Sequence, residues 1–112
     1  MKLVVCAKEV LDPDAVNSYA LAGRLTIGAD GKTLTQSAIP RLINGYDEQA
    51  IEAALRIRDG GAPAAIHVVS VGRELSNLLR HASALGADEV AEIALDAPDP
   101  DCHVIARILA AY

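Results

Sequence analysis

The sequence predicts a three-layer α/β/α fold around a mainly parallel sheet, and three observations predict it. Short apolar runs alternate with helical patterns, 52% of the 112 residues are apolar, and only 3% are aromatic. Alternating strands and helices are typical of βαβ units with right-handed crossovers. An aliphatic, alanine-rich interior lets helices pack closely on a sheet. The length suits one domain over residues 1–112.

The first strand is predicted by the continuous apolar run 3–7, which suits a strand buried on both faces. The region 8–44 reads as long and irregular, with one hairpin signal. Two β-prone runs, 25–27 and 33–35, flank an Asp-Gly turn. We expect this hairpin to lie on the surface as an excursion from the main sheet.

Three helices follow from apolar periodicity and boundary residues. The first begins at 44–47 and ends at the glycine pair 60–61. The second covers 74–85. The third is capped by Asp99, with Pro100 at its first position. The stripe of this third helix that we expect to be buried is Val104, Ile105, Ile108, Leu109 and Tyr112.

Two further strands complete the predicted sheet. The apolar run 65–71 gives the second, and 89–95 alternates in part, so we expect it at an edge. Three strands are few for a parallel sheet. We therefore expect the chain to be the N-terminal part of a longer domain. The alternative is a minimal α/β domain that is completed by dimerisation.

Composition and charge exclude several classes of protein. The net charge of −5 argues against a nucleic-acid binder, which needs a basic surface. No apolar run approaches the ~20 residues that span a bilayer, so no membrane insertion is expected. The apolar start is too short for a signal peptide, which predicts a cytoplasmic protein or one in a compartment that is reached without that signal. Cys6 and Cys102 lie far apart, without metal-ligand spacing, and we expect no disulfide.

No catalytic constellation is visible in the sequence. It has no P-loop, G-x-G-x-x-G, G-x-S-x-G or H-E-x-x-H motif. The three histidines fall on separate elements, and His67 reads as a core imidazole with one hydrogen bond. Asp47 and Glu48 read as carboxylates that stabilise a helix N-terminus. We therefore expect no catalytic or metal-binding residue, and not an enzyme by itself.

The candidate ligand-binding residues lie after the strands, because open α/β sheets bind ligands beyond the carboxyl ends of their strands. A glycine such as Gly72 permits close approach of a ligand, and Lys8 or Arg73 at a helix start can meet a phosphate. The alternative interpretation, equally favoured by the sequence, is that Gly72 forms only a tight turn and that Lys8 and Arg73 are solvated. Asn44 reads as a helix N-cap with its side chain already used; facing the first strand's end, it could also bind an adenine or ribose edge. The candidates at the two strand ends are Cys6, Ala7, Lys8, Val71, Gly72 and Arg73.

Five segments, in order, resemble one family. Residues 1–12 read MKLVVCAKEVLD, similar to MKIVVCVKQVPD, and 40–50 read PRLINGYDEQA, similar to P-x-I-I-N-P-Y-D-E-x-A. Residues 52–56, 68–72 and 84–88 are similar to E-E-A-L-R, V-x-S-x-G and A-M-G-A-D. These patterns are those of the β subunit of electron transfer flavoproteins, and the similarity covers essentially the whole chain.

The resemblance implies a fold and a function. It implies a Rossmann-like, adenine-nucleotide-binding fold and a partner α subunit that holds FAD. The pair would carry electrons from dehydrogenases to a quinone reductase or another acceptor. The β subunit would bind AMP structurally, or a second FAD. The resemblance places AMP contacts, several through backbone groups, on Cys6, Ala7, Asn44, Val71 and Gly72.

The sequence also departs from the family's pattern. Gly45 and Leu11 stand where the family has proline, and Arg73 replaces the proline that often follows V-S-x-G. The family's glycine-rich phosphate-binding segment has no counterpart within the 112 residues. Two alternatives to an electron carrier stay open. One is an adenine-nucleotide-binding module of the universal stress type, and the other is a ligand-free homodimer that pairs through the exposed first strand.

Overall fold

The computed structural model describes residues 1–35, 38–97 and 100–112, which form two compact units, 1–8 with 43–112 and 9–42. No described helix has the length and apolar character needed to cross a membrane. The elements in chain order are β1 (Lys2–Cys6), β2 (Glu9–Leu11), α1 (Pro13–Leu21), β3 (Arg41–Ile43), α2 (Gly45–Asp59), β4 (Ala65–Gly72), α3 (Ser76–Leu85), β5 (Glu89–Ala94) and α4 (Cys102–Ala111).

The main sheet has the order β1-β4-β5, and both pairings are parallel. Val5 of β1 lies beside Val68 of β4, which lies beside Val90 of β5. The predicted parallel sheet is confirmed, as is the edge position of the third strand. The first strand is the other edge.

The core lies between one face of this sheet and helices α2 and α3. Apolar side chains recur every three or four residues along each helix, so one face of each is buried. The residues of this core cluster are all aliphatic, as the composition predicts. The buried cluster consists of Val5, Ala7, Ile51, Ala54, Ile66, Val68, Leu78 and Ala82.

Helix α2 has the predicted bounds, but α3 begins later than expected. Asn44 is the N-cap of α2 and Gly60 its C-cap. Helix α3 begins at Ser76, because Glu74 has a φ of +56° and cannot belong to a right-handed helix. The prediction that Arg73 opens this helix is therefore wrong.

Helix α4 begins at Cys102, and its N-cap is Asp101, whose carboxylate accepts the Val104 N–H at 2.8 Å. The predicted cap, Asp99, lies outside the described residues. The predicted burial of the stripe is wrong, because no residue of α4 is fully buried and Val104 and Tyr112 are exposed. The helix has its main packing partner in β4, and one element covers the stripe only in part.

The unit 9–42 is more regular than predicted. It holds helix α1 and the two-stranded sheet of β2 and β3. Asp12 caps α1 by accepting the Asp14 N–H at 3.0 Å, and Pro13 occupies the first helical position. The Asp-Pro pair was therefore a helix-start signal that the sequence reading missed.

The predicted hairpin in that unit is confirmed as a turn with one antiparallel bridge, between Ile27 and Leu34. The Asp30 carboxylate accepts the N–H groups of Lys32 and Thr33 at 2.9 Å and also the Thr33 hydroxyl. The Thr33 hydroxyl and these backbone N–H groups lower the pKa of Asp30 to about 2. The Asp-Gly turn is thus held by its own aspartate.

Candidate functional site

The end of β1 is joined to the start of α2 by two hydrogen bonds and to β4 by a third. The Lys8 N–H donates to Asp47 Oδ2 at 2.9 Å, and the Lys8 carbonyl accepts the Asn44 N–H at 2.9 Å. One residue earlier, the Ala7 N–H donates to the Val69 carbonyl at 2.9 Å. We call residues 7, 8, 44 and 47 the β1–α2 junction. It brings three of the predicted site residues together: Ala7, Lys8 and Asn44.

Asn44 does not use its side chain as predicted. It occupies the N-cap position with extended backbone (φ −61°, ψ 126°), but its side chain makes no capping hydrogen bond. The carboxylate in the first turn of α2, Asp47, binds the preceding strand instead. Among the described residues the half-buried amide of Asn44 has no hydrogen-bond partner, so its donors and its acceptor are available to another group.

The end of β4 lies on the neighbouring strand. Val71 and Gly72 are half-buried and lie beside Ile93 and Ala94 of β5. Gly72 has a φ of +155°, and a Cβ there would lie 3.4 Å from Leu75 Cδ1. The glycine thus provides a turn that closes over a buried leucine. Gly72 was interpreted either as permitting close approach of a ligand or as a tight turn. The contact with Leu75 accounts for the tight turn.

Arg73 is held on the β5 side of β4. Its Nη2 lies 2.7 Å from Asp96 Oδ2, just after β5, and the two side chains are 64% and 77% exposed. Lys8 and Asn44 belong to the β1 side. The structure therefore does not bring the two predicted cations to one point. Cys6 is exposed at the end of β1.

Ser70 is a residue that the sequence reading missed as a candidate. It is 1% exposed, and its hydroxyl has no hydrogen-bond partner among the described residues. It shares a sheet face with Val68 and Ile66, two and four residues earlier, so it faces the layer of helices α2 and α3 near the carboxyl edge. An unpaired buried hydroxyl costs about 1–3 kcal/mol and needs an explanation. The sequence feature that could have indicated this residue is the single serine within the apolar run 65–71.

The histidines occupy separate places. His67 is buried as predicted, and its Nδ1 lies 3.0 Å from Glu89 Oε2 but without hydrogen-bond geometry, so the expected hydrogen bond is not made at that atom. His81 Nε2 lies 2.7 Å from Glu48 Oε1 and joins α3 to α2. The reading of Asp47 and Glu48 as helix-start carboxylates is confirmed, and each also contacts another element.

The parallel sheet flanked by helices belongs to the Rossmann-like class of α/β folds, in which ligands bind beyond the carboxyl ends of the strands. The profile of the electron transfer flavoprotein domain matches residues 32–112, and the chain belongs to that family. This confirms the resemblance that the five segments indicated.

Curated relatives agree with this assignment. The chain is 33% identical over 90 residues to the caffeyl-CoA reductase–Etf complex subunit CarD of Acetobacterium woodii, covering 80% of this chain and 31% of that protein. It is 32% identical over 89 residues to an electron transfer flavoprotein subunit beta of Bradyrhizobium diazoefficiens, covering 79% and 32%. The mitochondrial subunit beta of Oryza sativa subsp. indica is 33% identical over 101 residues, covering 89% and 36%. The chain thus spans about a third of the length of these relatives.

Proposed function

We propose that this chain acts as an electron transfer flavoprotein β subunit and binds AMP structurally at the carboxyl edge of its sheet. An α subunit that holds FAD would be its partner, and the pair would carry electrons from dehydrogenases to a quinone reductase or another acceptor. Membership of the electron transfer flavoprotein family is the observation that carries the proposal. The cytoplasmic location stays a prediction.

The β1–α2 junction fits the adenine and ribose end of such a nucleotide. Asn44 presents a free amide, whose paired donor and acceptor match the edge of an adenine ring. The backbone N–H groups of Ala7, Lys8 and Asn44 are already used within the protein. Recognition at the junction therefore falls on the Asn44 side chain rather than on these three N–H groups.

The end of β4 would supply the neighbouring wall of the site. Alternate residues of β4 turn their backbone groups to opposite sides, and Gly72 accepts the Leu95 N–H on the β5 side. The backbone groups of Val71 therefore face the β1 side. There β1 has already ended, and the next residues lie beside Asn44 at the start of α2. The hydroxyl of Ser70, the preceding residue, is buried and has no hydrogen-bond partner in the described part of the chain. Lys8 would approach the phosphate, whereas Arg73 must first leave Asp96.

The flavin supplies the redox chemistry when the partner subunit carries it, and this chain supplies position and electrostatics. The described residues here hold a strand end and a helix start in a fixed relation through two hydrogen bonds. Such a fixed junction suits a structural nucleotide, which stabilises the folded state in proportion to the logarithm of its concentration over its dissociation constant.

The nucleotide arm of the proposal is tested by calorimetric titration of the chain, or of its purified complex, with AMP. We expect saturable binding, and we expect Asn44→Ala to weaken it by about five- to tenfold, the value of one neutral hydrogen bond. Asn77→Ala, an exposed asparagine on α3, is the matched control and leaves binding unchanged. Absence of binding by the wild-type complex would remove AMP from the proposal.

The electron-carrier arm is tested separately by native mass spectrometry of the protein purified from its own source. We expect a complex that contains a second subunit, FAD and AMP. The bare 11.7 kDa chain or its homodimer, without flavin, would contradict the carrier role. Binding of AMP without any flavin partner would instead favour a module of the universal stress type.

A further inference from the structure

The start of helix α2 contains an Asn-Gly sequence, formed by Asn44 and Gly45. The backbone nitrogen that follows an asparagine can attack the side-chain carboxamide and close a five-membered succinimide ring. A following glycine hinders this attack least. A following proline prevents it, because the proline nitrogen carries no proton. The family pattern has proline at position 45, whereas this chain has glycine. The reaction is therefore possible in this chain and is prevented by the family's pattern.

Neither reacting group of this pair is engaged in a hydrogen bond. The Asn44 side chain makes no capping bond, and the Gly45 N–H has no acceptor in the described part of the chain. Gly45 is exposed, and no atom lies within 4 Å of a Cβ built on it. Water and base can therefore reach this nitrogen, and no neighbouring side chain blocks its approach to the carboxamide.

The two Asp-Gly pairs of the chain, which could close the same ring, are built differently. In the first, the Gly31 N–H donates to the Gly28 carbonyl at 3.0 Å. In the second, the Gly60 N–H donates to the Arg56 carbonyl at 2.9 Å. Both nitrogens are thus held in backbone hydrogen bonds. Of the three pairs, the one whose nitrogen is unpaired among the described residues is the pair that contains Gly45.

The β1–α2 junction keeps the two reacting groups apart in the folded state. With ψ of Asn44 at 126°, the Gly45 nitrogen is not eclipsed with the Asn44 Cβ, as a five-membered ring requires. Ring closure therefore needs rotation about the Cα–C bond of Asn44. The Asn44 N–H donates to the Lys8 carbonyl, and the Asn44 carbonyl accepts the Asp47 N–H, both at 2.9 Å. Rotation breaks one of these two bonds, so the junction must open before the ring can close.

We propose that Asn44 is a modification site, at which asparagine is converted to aspartate and isoaspartate at a rate set by opening of the β1–α2 junction. Solvent base takes the proton of the Gly45 nitrogen, and this nitrogen bonds to Cγ of Asn44. The Cγ–Nδ2 bond breaks, and the amide nitrogen leaves as ammonia with a proton from solvent. Water then opens the succinimide. Addition of water at Cγ gives aspartate, and addition at the main-chain carbonyl carbon gives isoaspartate.

Either product changes the junction. Both replace the carboxamide with a carboxylate, which has no donor hydrogen and stands in the same helix start as Asp47. Isoaspartate also adds one atom to the main chain at position 44, between the groups that bind Lys8 and Asp47. Loss of adenine recognition by Asn44 is a consequence that rests on the proposed function. The modification itself does not rest on it.

Peptide mass spectrometry of the purified chain, or of its purified complex, measures the modification after incubation at neutral pH without added nucleotide. The tryptic peptide 42–56 contains Asn44, whereas Asn17 and Asn77 fall in other peptides. Each of the three asparagines is therefore followed separately. We expect the mass gain of an amide-to-acid conversion, with both products, at Asn44 ahead of the other two. A synthetic peptide 42–56, which lacks the junction, should be converted faster than the folded chain.

Variants separate the chemistry from the opening of the junction. Gly45→Pro should abolish the modification and keep the fold, because proline suits the first position of a helix and the extended residue before it. Asp47→Ala removes the carboxylate that binds the Lys8 N–H. It should speed the modification about fivefold, which corresponds to about 1 kcal/mol in the free energy of local opening. Glu48→Ala is the matched control, because it removes a charge from the same turn but leaves that bond, and it should accelerate less.

The other asparagines distinguish local opening from general unfolding. Acceleration by Asp47→Ala that is confined to Asn44 supports the proposal. A rate at Asn44 that rises no more than the rates at Asn17 and Asn77 would overturn the junction as the controlling step. An Asn44 that stays intact in the chain while the synthetic peptide is converted would overturn the site, as would modification of the Gly45→Pro chain at the wild-type rate. Because nucleotide is absent, a failed AMP titration leaves these outcomes unchanged.

Discussion

Helices α2 and α3 both begin at the carboxyl edge of the same sheet, but their N-termini are built differently. The start of α2 is tied to β1 through Asn44 and Asp47, which bind both backbone groups of Lys8. The start of α3 has no side-chain cap, and the loop before it contains Glu74 at positive φ. One terminus is a hydrogen-bonded junction with a free amide, and the other is a tight turn over a leucine. Equivalent places in a fold therefore need not be equivalent sites.

The turn before α3 should be the most sensitive to substitution. Gly72→Ala forces a side chain onto a φ of +155°, where Leu75 already lies 3.4 Å from the Cβ position. We expect a loss of about 2–3 kcal/mol in the free energy of unfolding, since such backbone conformations are nearly confined to glycine. Urea denaturation measures it. Gly45→Ala, in open space at the start of α2, is the control and should not destabilise.

The junction before α2 should respond next. Asp47→Ala leaves the Lys8 N–H without its acceptor and removes a negative charge from a helix N-terminus. We expect a loss of about 1 kcal/mol, because charge-assisted hydrogen bonds are strong but this one is exposed to solvent. Nucleotide affinity should fall with it, because Asn44 loses its fixed place. If stability falls but AMP affinity does not, the junction is structural and the nucleotide lies elsewhere.

Much of the difference between the N-termini of α2 and α3 could not be predicted from the sequence. The bounds of α2 followed from apolar periodicity and its glycine stop, and the parallel sheet followed from the alternation of elements. Strands β2 and β3 have three residues each and depend on pairing across the unit 9–42, so no local pattern marks them. The free side chain of Asn44 depends on Asp47 binding Lys8 instead of a helix N–H. The ion pair of Arg73 depends on a residue beyond the next strand.

Ser70 offers a sharper test of which terminus faces a ligand. Its hydroxyl is buried without a partner, so Ser70→Ala removes an unsatisfied group and little volume. We expect unfolding free energy to stay level or rise by up to about 1 kcal/mol. Ser83→Ala, at an exposed position of α3, is the control and should change stability little. If AMP affinity of the Ser70 variant falls while stability rises, the hydroxyl serves the nucleotide; if neither changes, the serine is only tolerated.

The smallest effect should come from the ion pair beside α3. Arg73 and Asp96 lie 2.7 Å apart, but both side chains are more than half exposed, so water and salt screen their attraction. A double-mutant cycle with Arg73→Ala and Asp96→Ala should give a coupling of at most about 0.5 kcal/mol, and less at high salt. A pair this weak leaves Arg73 free to turn to a phosphate when one is present. Asp96→Ala should then leave AMP affinity level or raise it, while Arg73→Ala lowers it. Equal affinity in both variants would assign the phosphate to the β1 side alone, where Lys8 is part of the β1–α2 junction.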